Sequence, residues 1–222
     1  YSGSYSLQQF LNVPEGVDAL NYMKLRNEQT WQNFSNNYLV RQSPYFTEAQ
    51  MQPYIDGKPS YNWMDAVFNK TAPAQQHNVS INGGSDKLRY FMSLAYSQQL
   101  GNYKGDGFRD DKWNFRSNVD AQITSRLKAR VSIGAILDKK KYPTGTGWST
   151  YKAAWLMRPD APIYANDNPE YLNGDAGLLY DGRNMVAEVQ TPYVGYTIDN
   201  IRRLNGNLQL SYDIPGIKGL TA

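Results

Sequence analysis

The chain has 222 residues, room for one sizeable domain, and its 23 basic and 20 acidic residues leave a net charge of +3. Near-balanced, scattered charge excludes a dedicated nucleic-acid surface, and the run Lys139 to Lys141 is expected to be a solvated strand end. The absence of cysteine excludes a disulfide framework and thiolate chemistry, and no stretch of about 18 apolar residues exists for a transmembrane helix, which leaves a transmembrane barrel open.

Residues 6 to 75 read mainly as a long connection. Within it, Val17, Leu20, Tyr22, Met23, Leu25 and Trp31 recur among polar residues after Pro14-Glu15-Gly16, which predicts a short helix over residues 17 to 33. A strand follows at 77 to 83, where Val79 and Ile81 alternate with Asn78, Ser80 and Asn82, and Gly83-Gly84-Ser85-Asp86-Lys87 supplies turn chemistry. The next strand, 88 to 99, places Leu88, Tyr90, Met92, Leu94 and Tyr96 on one face.

Residues 113 to 124 carry the clearest signal: Trp113, Phe115, Ser117, Val119, Ala121 and Ile123 alternate with Asn114, Arg116, Asn118, Asp120, Gln122 and Thr124. Period-two alternation places one set in an oily phase and the other in a wet one. At ~3.3 Å per residue the segment spans ~40 Å, and a tilt of roughly 40° gives a rise of ~30 Å, enough to cross the apolar band of an outer-membrane barrel. A tight turn at 124 to 126 leads into 127 to 138, where Leu127, Ala129, Val131, Ile133, Ala135 and Leu137 share a face. A last alternating segment holds Leu204, Leu208, Leu210, Tyr212 and Ile214 before the Pro215-Gly216-Ile217-Lys218-Gly219 turn.

The longest connection, 139 to 200, is expected to hold a helix over 150 to 157, stopped before Pro159. From 159 to 192 its Asn, Asp, Gly, Pro and Tyr predict irregular surface structure. Connection lengths alternate: 84 to 87 short, 100 to 112 longer, 124 to 126 short, 139 to 200 very long, 215 to 219 short. In an up-and-down barrel this puts all the long loops on one side, the outer-membrane arrangement with long loops outside and short turns in the periplasm. The expected fold is therefore all-β: antiparallel up-and-down strands forming part of a large transmembrane barrel, with extracellular loops carrying short helices.

Several runs resemble a family. Trp63-Met-Asp-Ala-Val-Phe-Asn-Lys, followed by His77-Asn-Val-Ser-Ile-Asn-Gly-Gly-Ser-Asp-Lys-Leu-Arg-Tyr-Phe-Met-Ser-Leu-Ala-Tyr, resembles the early barrel of SusC/RagA-type TonB-dependent transporters of Bacteroidota. Arg116-Ser-Asn-Val-Asp resembles that family's Arg-x-Asn-Leu-Asp strand, Tyr212-Asp-Ile-Pro-Gly-Ile-Lys-Gly-Leu its periplasmic turn, and Tyr22-Met-Lys-Leu-Arg-Asn-Glu the helix of its first outer loop. The family's Asn-Thr-Asp-Trp departs here to Ser60-Tyr-Asn-Trp63. The resemblance implies a plugged barrel of about 22 strands. Residues 1 to 222 would supply a partial barrel domain, with the plug and TonB-contacting segment before residue 1 and the remaining barrel after residue 222. It also implies import of glycan or peptide fragments, with no catalysis and no cofactor. A SusD-like lipoprotein would act as lid, TonB would supply energy, and outer-membrane lipid would surround the wall. The competing expectation is a soluble, secreted β-rich glycan-binding module, consistent with the mean hydropathy of −0.65.

Trp148, Tyr151, Trp155 and Tyr164 lie in the longest loop, where no membrane demands aromatic side chains. They are the candidates for substrate or lid contact, with packing inside the loop as the plainer role. Tyr90, Tyr96, Trp113 and Tyr212 are expected in interfacial girdles. Arg116, Asp120, Arg130, Asp138, Arg203 and Asp213 are expected to face the lumen. His77, the sole histidine, sits at a predicted strand start and makes a poor metal or catalytic set alone. Asp106, Asp110, Asp111 and Asn166-Asp-Asn168 lack EF-hand spacing and read as solvated loops.

Overall fold

The computed structural model describes residues 1–33, 43–145, 147–217 and 220–222. Six strands, β1 (Ser2–Gln9), β2 (Thr71–Gly84), β3 (Leu88–Leu100), β4 (Arg109–Gln122), β5 (Leu127–Pro143) and β6 (Tyr196–Tyr212), form one sheet in chain order. Every neighbouring pair is antiparallel. The short turns follow from local chemistry. At Gly84 a Cβ would meet the Leu88 carbonyl oxygen at 2.3 Å, so the β2–β3 turn requires glycine. In the β4–β5 turn the Thr124 hydroxyl accepts from the Leu127 N–H at 3.0 Å. The connections 10–70, 101–108 and 144–195 all lie at the other end of the sheet, as the alternation of lengths predicts.

Three boundaries differ from the sequence reading. β1 was expected to be loop from residue 6, and β2 starts at Thr71, so His77 sits in mid-strand rather than at a strand start. Neither segment signals itself: Ser2, Ser4, Ser6 and Gln8 alternate with the weakly apolar set Gly3, Tyr5, Leu7 and Gln9, and Pro73 interrupts their partner. Pro73 is tolerated because it lies beyond Ala74↔Gln99, where β3 pairing ends, so β2 there has a neighbour on one side only. The third difference is that β4, β5 and β6 run past the apolar alternation at the loop end. There the rungs carry charge, including Lys112–Asp138 at 3.2 Å and Lys140–Asp110 at 3.8 Å. Lys218 and Gly219 of the last turn lie outside the described residues.

Register separates the two faces. On one, Val79, Leu94, Phe115, Ala135 and Leu204 form a row across five strands. Ile81, Met92, Ser117, Ile133 and Gly206 form the next, then Gly83, Tyr90, Val119, Val131 and Leu208. The opposite face carries Ser80, Ser93, Arg116, Gly134 and Asn205, then Gly84, Arg89, Asp120, Arg130 and Gln209. The apolar face is uncovered: Leu204 is 77% and Leu208 66% exposed.

The buried core lies in the connections instead. It gathers Trp63, Val67 and Phe68 from 10–70 with Ala153, Ala154, Met157, Leu179, Met185, Val186 and Val189 from 144–195. Among the described residues the connections carry six α-helices, α1 (Ala19–Asn33), α2 (Glu48–Ile55), α3 (Trp63–Val67), α4 (Gly147–Leu156), α5 (Met185–Glu188) and α6 (Thr191–Val194), of which α3, α4 and α5 contribute to this core. α1 and α4 fall within a few residues of their predicted positions. α2 starts at a capping box, in which Thr47 and Gln50 satisfy each other's backbone N–H groups. The 159–192 stretch corrects its expectation as surface structure: it is largely irregular, yet buries Ala161, Leu179, Met185, Val186 and Val189. Its apolar residues show no long period because, outside the single turn of α5, buried side chains satisfy the backbone. Asn184 Nδ2 donates to the carbonyls of Ile163 (2.8 Å) and Asn173 (3.0 Å), and Asn173 Nδ2 to that of Pro162 (2.8 Å).

Candidate functional site: the aromatic cap

Aromatic rings join all three long connections. Phe108 stacks on Tyr103 at 3.9 Å between centroids, Tyr103 leans on Phe68 at 4.7 Å, and Phe68 meets Tyr151 edge-on at 5.7 Å. Phe10 closes the group, 5.8 Å from Phe68 and 6.1 Å from Tyr151. Phe10 and Phe68 belong to the β1–β2 connection, Tyr103 and Phe108 to β3–β4, and Tyr151 to β5–β6. The Tyr103 hydroxyl donates to the Gly147 carbonyl at 2.7 Å, tying down the start of α4, and burial pushes its pKa to about 12. Gly105 fits where it does because a Cβ would lie 1.9 Å from the Val189 carbonyl oxygen.

α4 shows its two sides clearly. Thr150, Ala153 and Ala154 are buried, while Trp148 and Trp155 point out, 72% and 47% exposed. Tyr151 lies between them at helical spacing, with one side on the core and its ring stacked against Trp148 at 5.9 Å and 17°. Three of the four sequence candidates thus share one helix face. Tyr164 stands apart, in an isolated bridge to Leu172. Phe10, Phe68, Tyr103 and Phe108 were not singled out by sequence, though each lies within three residues of a strand end or inside the β3–β4 connection.

Polar contacts lock the same layer. Arg158 forms a two-point ion pair with Asp160, at 3.1 and 2.6 Å, while its guanidinium lies 5.3 Å over the Phe46 ring and 5.9 Å over Tyr22. The Asp160 carboxylate raises the Arg158 pKa, and burial raises that of Tyr22. Trp63 Nε1 donates to the Ala161 carbonyl at 3.0 Å, and the Tyr61 hydroxyl to Asp167 at 2.5 Å. Burial first, then that bond, raises the Tyr61 pKa. Asp106 accepts from the Thr191 hydroxyl (2.6 Å) and N–H (3.1 Å), which lowers its pKa to about 2 and ties the β3–β4 connection to α6.

The remaining candidates are dispersed. Asp110 and Asp111 point to opposite faces of β4, and Asp111 takes Arg109 at 2.5 Å. The His77 Nδ1 lies 2.9 Å from the Tyr1 hydroxyl. Among the described residues no three His, Asp or Glu side chains gather as a metal site. On the polar face Arg130 pairs with Asp120 at 2.6 Å.

No family model matches the chain. It is 31% identical over 121 residues to the TonB-dependent receptor SusC of Bacteroides thetaiotaomicron, covering 53% of this chain and 11% of that protein. It is 32% identical over 110 residues to TonB-dependent receptor P26 of Formosa agariphila, covering 49% of this chain and 10% of that one. The chain therefore spans about a tenth of the length of these curated relatives. Among solved structures, the RagAB peptide importer in its closed-closed state superposes with a TM-score of 0.65 at 19% identity, over 99% of this chain and 26% of that one. Its open-open state gives 0.57 at 21% identity, with the same coverage. At these identities the likeness is one of fold: the six-stranded antiparallel sheet and its loops match part of the RagA barrel. The relatives are named as receptors and importers, none as an enzyme. In sequence over about half its length, and in fold over nearly all of it, the chain is similar to SusC/RagA-type TonB-dependent receptors, matching part of their barrel.

Proposed function

We propose that the chain forms part of the wall and outer cap of an outer-membrane TonB-dependent importer of glycan or peptide fragments. In this reading it works with a SusD-like surface lipoprotein. The observation that carries it is an uncovered two-faced sheet with every long connection at one end. On β5 the apolar face runs from Leu137 to Leu127, ten residues apart. At ~3.3 Å per residue and a tilt of roughly 40° this rises ~25 Å, the height of the apolar band of an outer-membrane barrel. Tyr96 and Trp113 pack at 4.5 Å at its loop end, where an aromatic girdle belongs, and Tyr212 sits at the turn end. β4 then descends from the cell surface toward the periplasm, with Arg116 and Asp120 toward the lumen.

Among the described residues β1 and β6 each leave one edge without a strand, which further strands of the whole barrel would pair. The proposal therefore includes a plug before residue 1 and the remaining barrel after residue 222. TonB would be engaged by a segment outside this chain. Trp148, Tyr151 and Trp155 on α4, and separately Tyr164, would contact cargo or lid. A soluble glycan-binding module would have to cover the Val79-to-Leu204 and Gly83-to-Leu208 rows with a second layer, and the buried core is elsewhere. The test is extraction of the full-length parent protein from outer membranes. It is expected to stay monodisperse only in detergent or a lipid disc, and a monomer stable in plain buffer would overturn the proposal.

A further inference from the structure

Directly above the apolar band, on the lipid side, the sheet carries a shallow cavity of about 470 Å3. Its floor is Tyr96, Trp113 and Leu137, and its rim is Arg109, Asp111, Lys139 and Arg202. Register places these rim residues on the apolar face, since Arg202 pairs with Leu137 and Lys139 with Asp111. Arg109 and Asp111 neutralise each other at 2.5 Å, and Asp111 also accepts from Tyr96 and Gln98. Asp138, the other carboxylate at the cavity, pairs with Lys112 of the opposite face at 3.2 Å. Lys139 and Arg202 are left with no carboxylate partner among the described residues. Two uncompensated cations thus stand over an aromatic and aliphatic floor, at the depth where a bilayer changes from acyl chain to headgroup.

We infer that this cavity binds the phosphate of an outer-leaflet lipid, its acyl chains lying down the Trp113, Phe115 and Leu204 rows and its phosphate bridging Lys139 and Arg202. Charge complementarity selects an anionic headgroup, and continuity with the apolar band selects a lipid over a soluble anion. The inference rests on the barrel reading above and makes the lipid itself a structural partner of the wall.

The test uses the delipidated full-length protein in neutral detergent, titrated with lipid A, phosphatidylcholine or inorganic phosphate and followed by native mass spectrometry. Lipid A should bind at least ~10-fold more tightly than phosphatidylcholine. The pair Lys139→Ala and Arg202→Ala should abolish that preference, while Lys112→Ala on the opposite face preserves it and all variants keep their heat-modifiable barrel. Equal binding of both lipids to a folded barrel, or saturation by inorganic phosphate alone, would overturn the headgroup assignment while leaving the barrel intact. Monodispersity without detergent would instead overturn the barrel and the inference with it.

Discussion

Val119 on β4 tests the assignment of faces most directly. It pairs in register with Tyr90 and Val131 on the apolar face, six residues below Trp113. At ~3.3 Å per residue and a tilt of roughly 40° that is ~15 Å below the outer girdle, within a few ångströms of the middle of a ~25 Å band. An arginine at that depth costs about 2–4 kcal/mol on the lipid face, against about 0–1 kcal/mol near the girdle. Val119→Arg should therefore lower the folded-to-unfolded ratio by roughly thirty-fold to several-hundred-fold. Asn118 sits on the other face, in register with Phe91 and Ser132, where Arg116 and Asp120 already meet water. Asn118→Arg should stay within about 0.5 kcal/mol. The assay is urea titration of the full barrel refolded into lipid bilayers. Shifts of equal size for the two variants, or a larger one for Asn118→Arg, would refute the face assignment.

Arg158→Ala strands the Asp160 carboxylate, only 6% exposed, and should loosen the cap by about 3 kcal/mol, read as faster protease cleavage within 43–62. Unchanged cleavage would remove that pair as a lock. Asp106 titrates at about 2 in the fold against an ordinary 3.8, so its hold on α6 is present above pH 3.8 and is lost as pH falls through 2. Hydrogen exchange at 189–195, corrected for intrinsic rate, should accelerate across that window and not between pH 5 and 7. Trp148→Ala and Trp155→Ala should each weaken cargo or lipoprotein binding by about fivefold with folding intact, and Tyr164→Phe should not. Binding curves unmoved by both tryptophan changes would exclude the α4 face as the contact.

Sequence made the wall legible and the cap largely not. In the 113–124 strand each step reverses the environment, so the alternation survives translation into residues and its register follows. The charged loop ends of β4 and β5 obey no apolar alternation, because both sides there meet water. β1 was hidden for a related reason: Tyr5 and Leu7 alternate with Ser4, Ser6 and Gln8 too briefly to outweigh a loop reading. In the cap, α4 was visible because the run from Thr150 to Met157 reads as a helix stopped before Pro159. The core around Met185 and Val189 was not, since its members come from the single turn of α5 and from irregular backbone held by Asn173 and Asn184. Candidate residues followed the same division: Trp148, Tyr151 and Trp155 share a helix that sequence could place. Their supports Phe68 and Tyr103 come from connections separated by tens of residues.

A core housed in the connections rather than under the sheet changes how errors in strand pairing are felt. The β2–β3 and β4–β5 hairpins close turns of a few residues and can zip early, whereas Trp63 and Val189 meet only after much longer stretches of chain are brought together. Closing the cap therefore costs more loop entropy than closing either hairpin. A one-residue slip of β5 against β4 would carry α4 ~3.3 Å along the strand and reverse which face each side chain meets. Tyr151 would then no longer reach Phe68, and the three-loop junction could not close. The cap in this way acts as a proofreader: it completes only on a wall whose strands are in register.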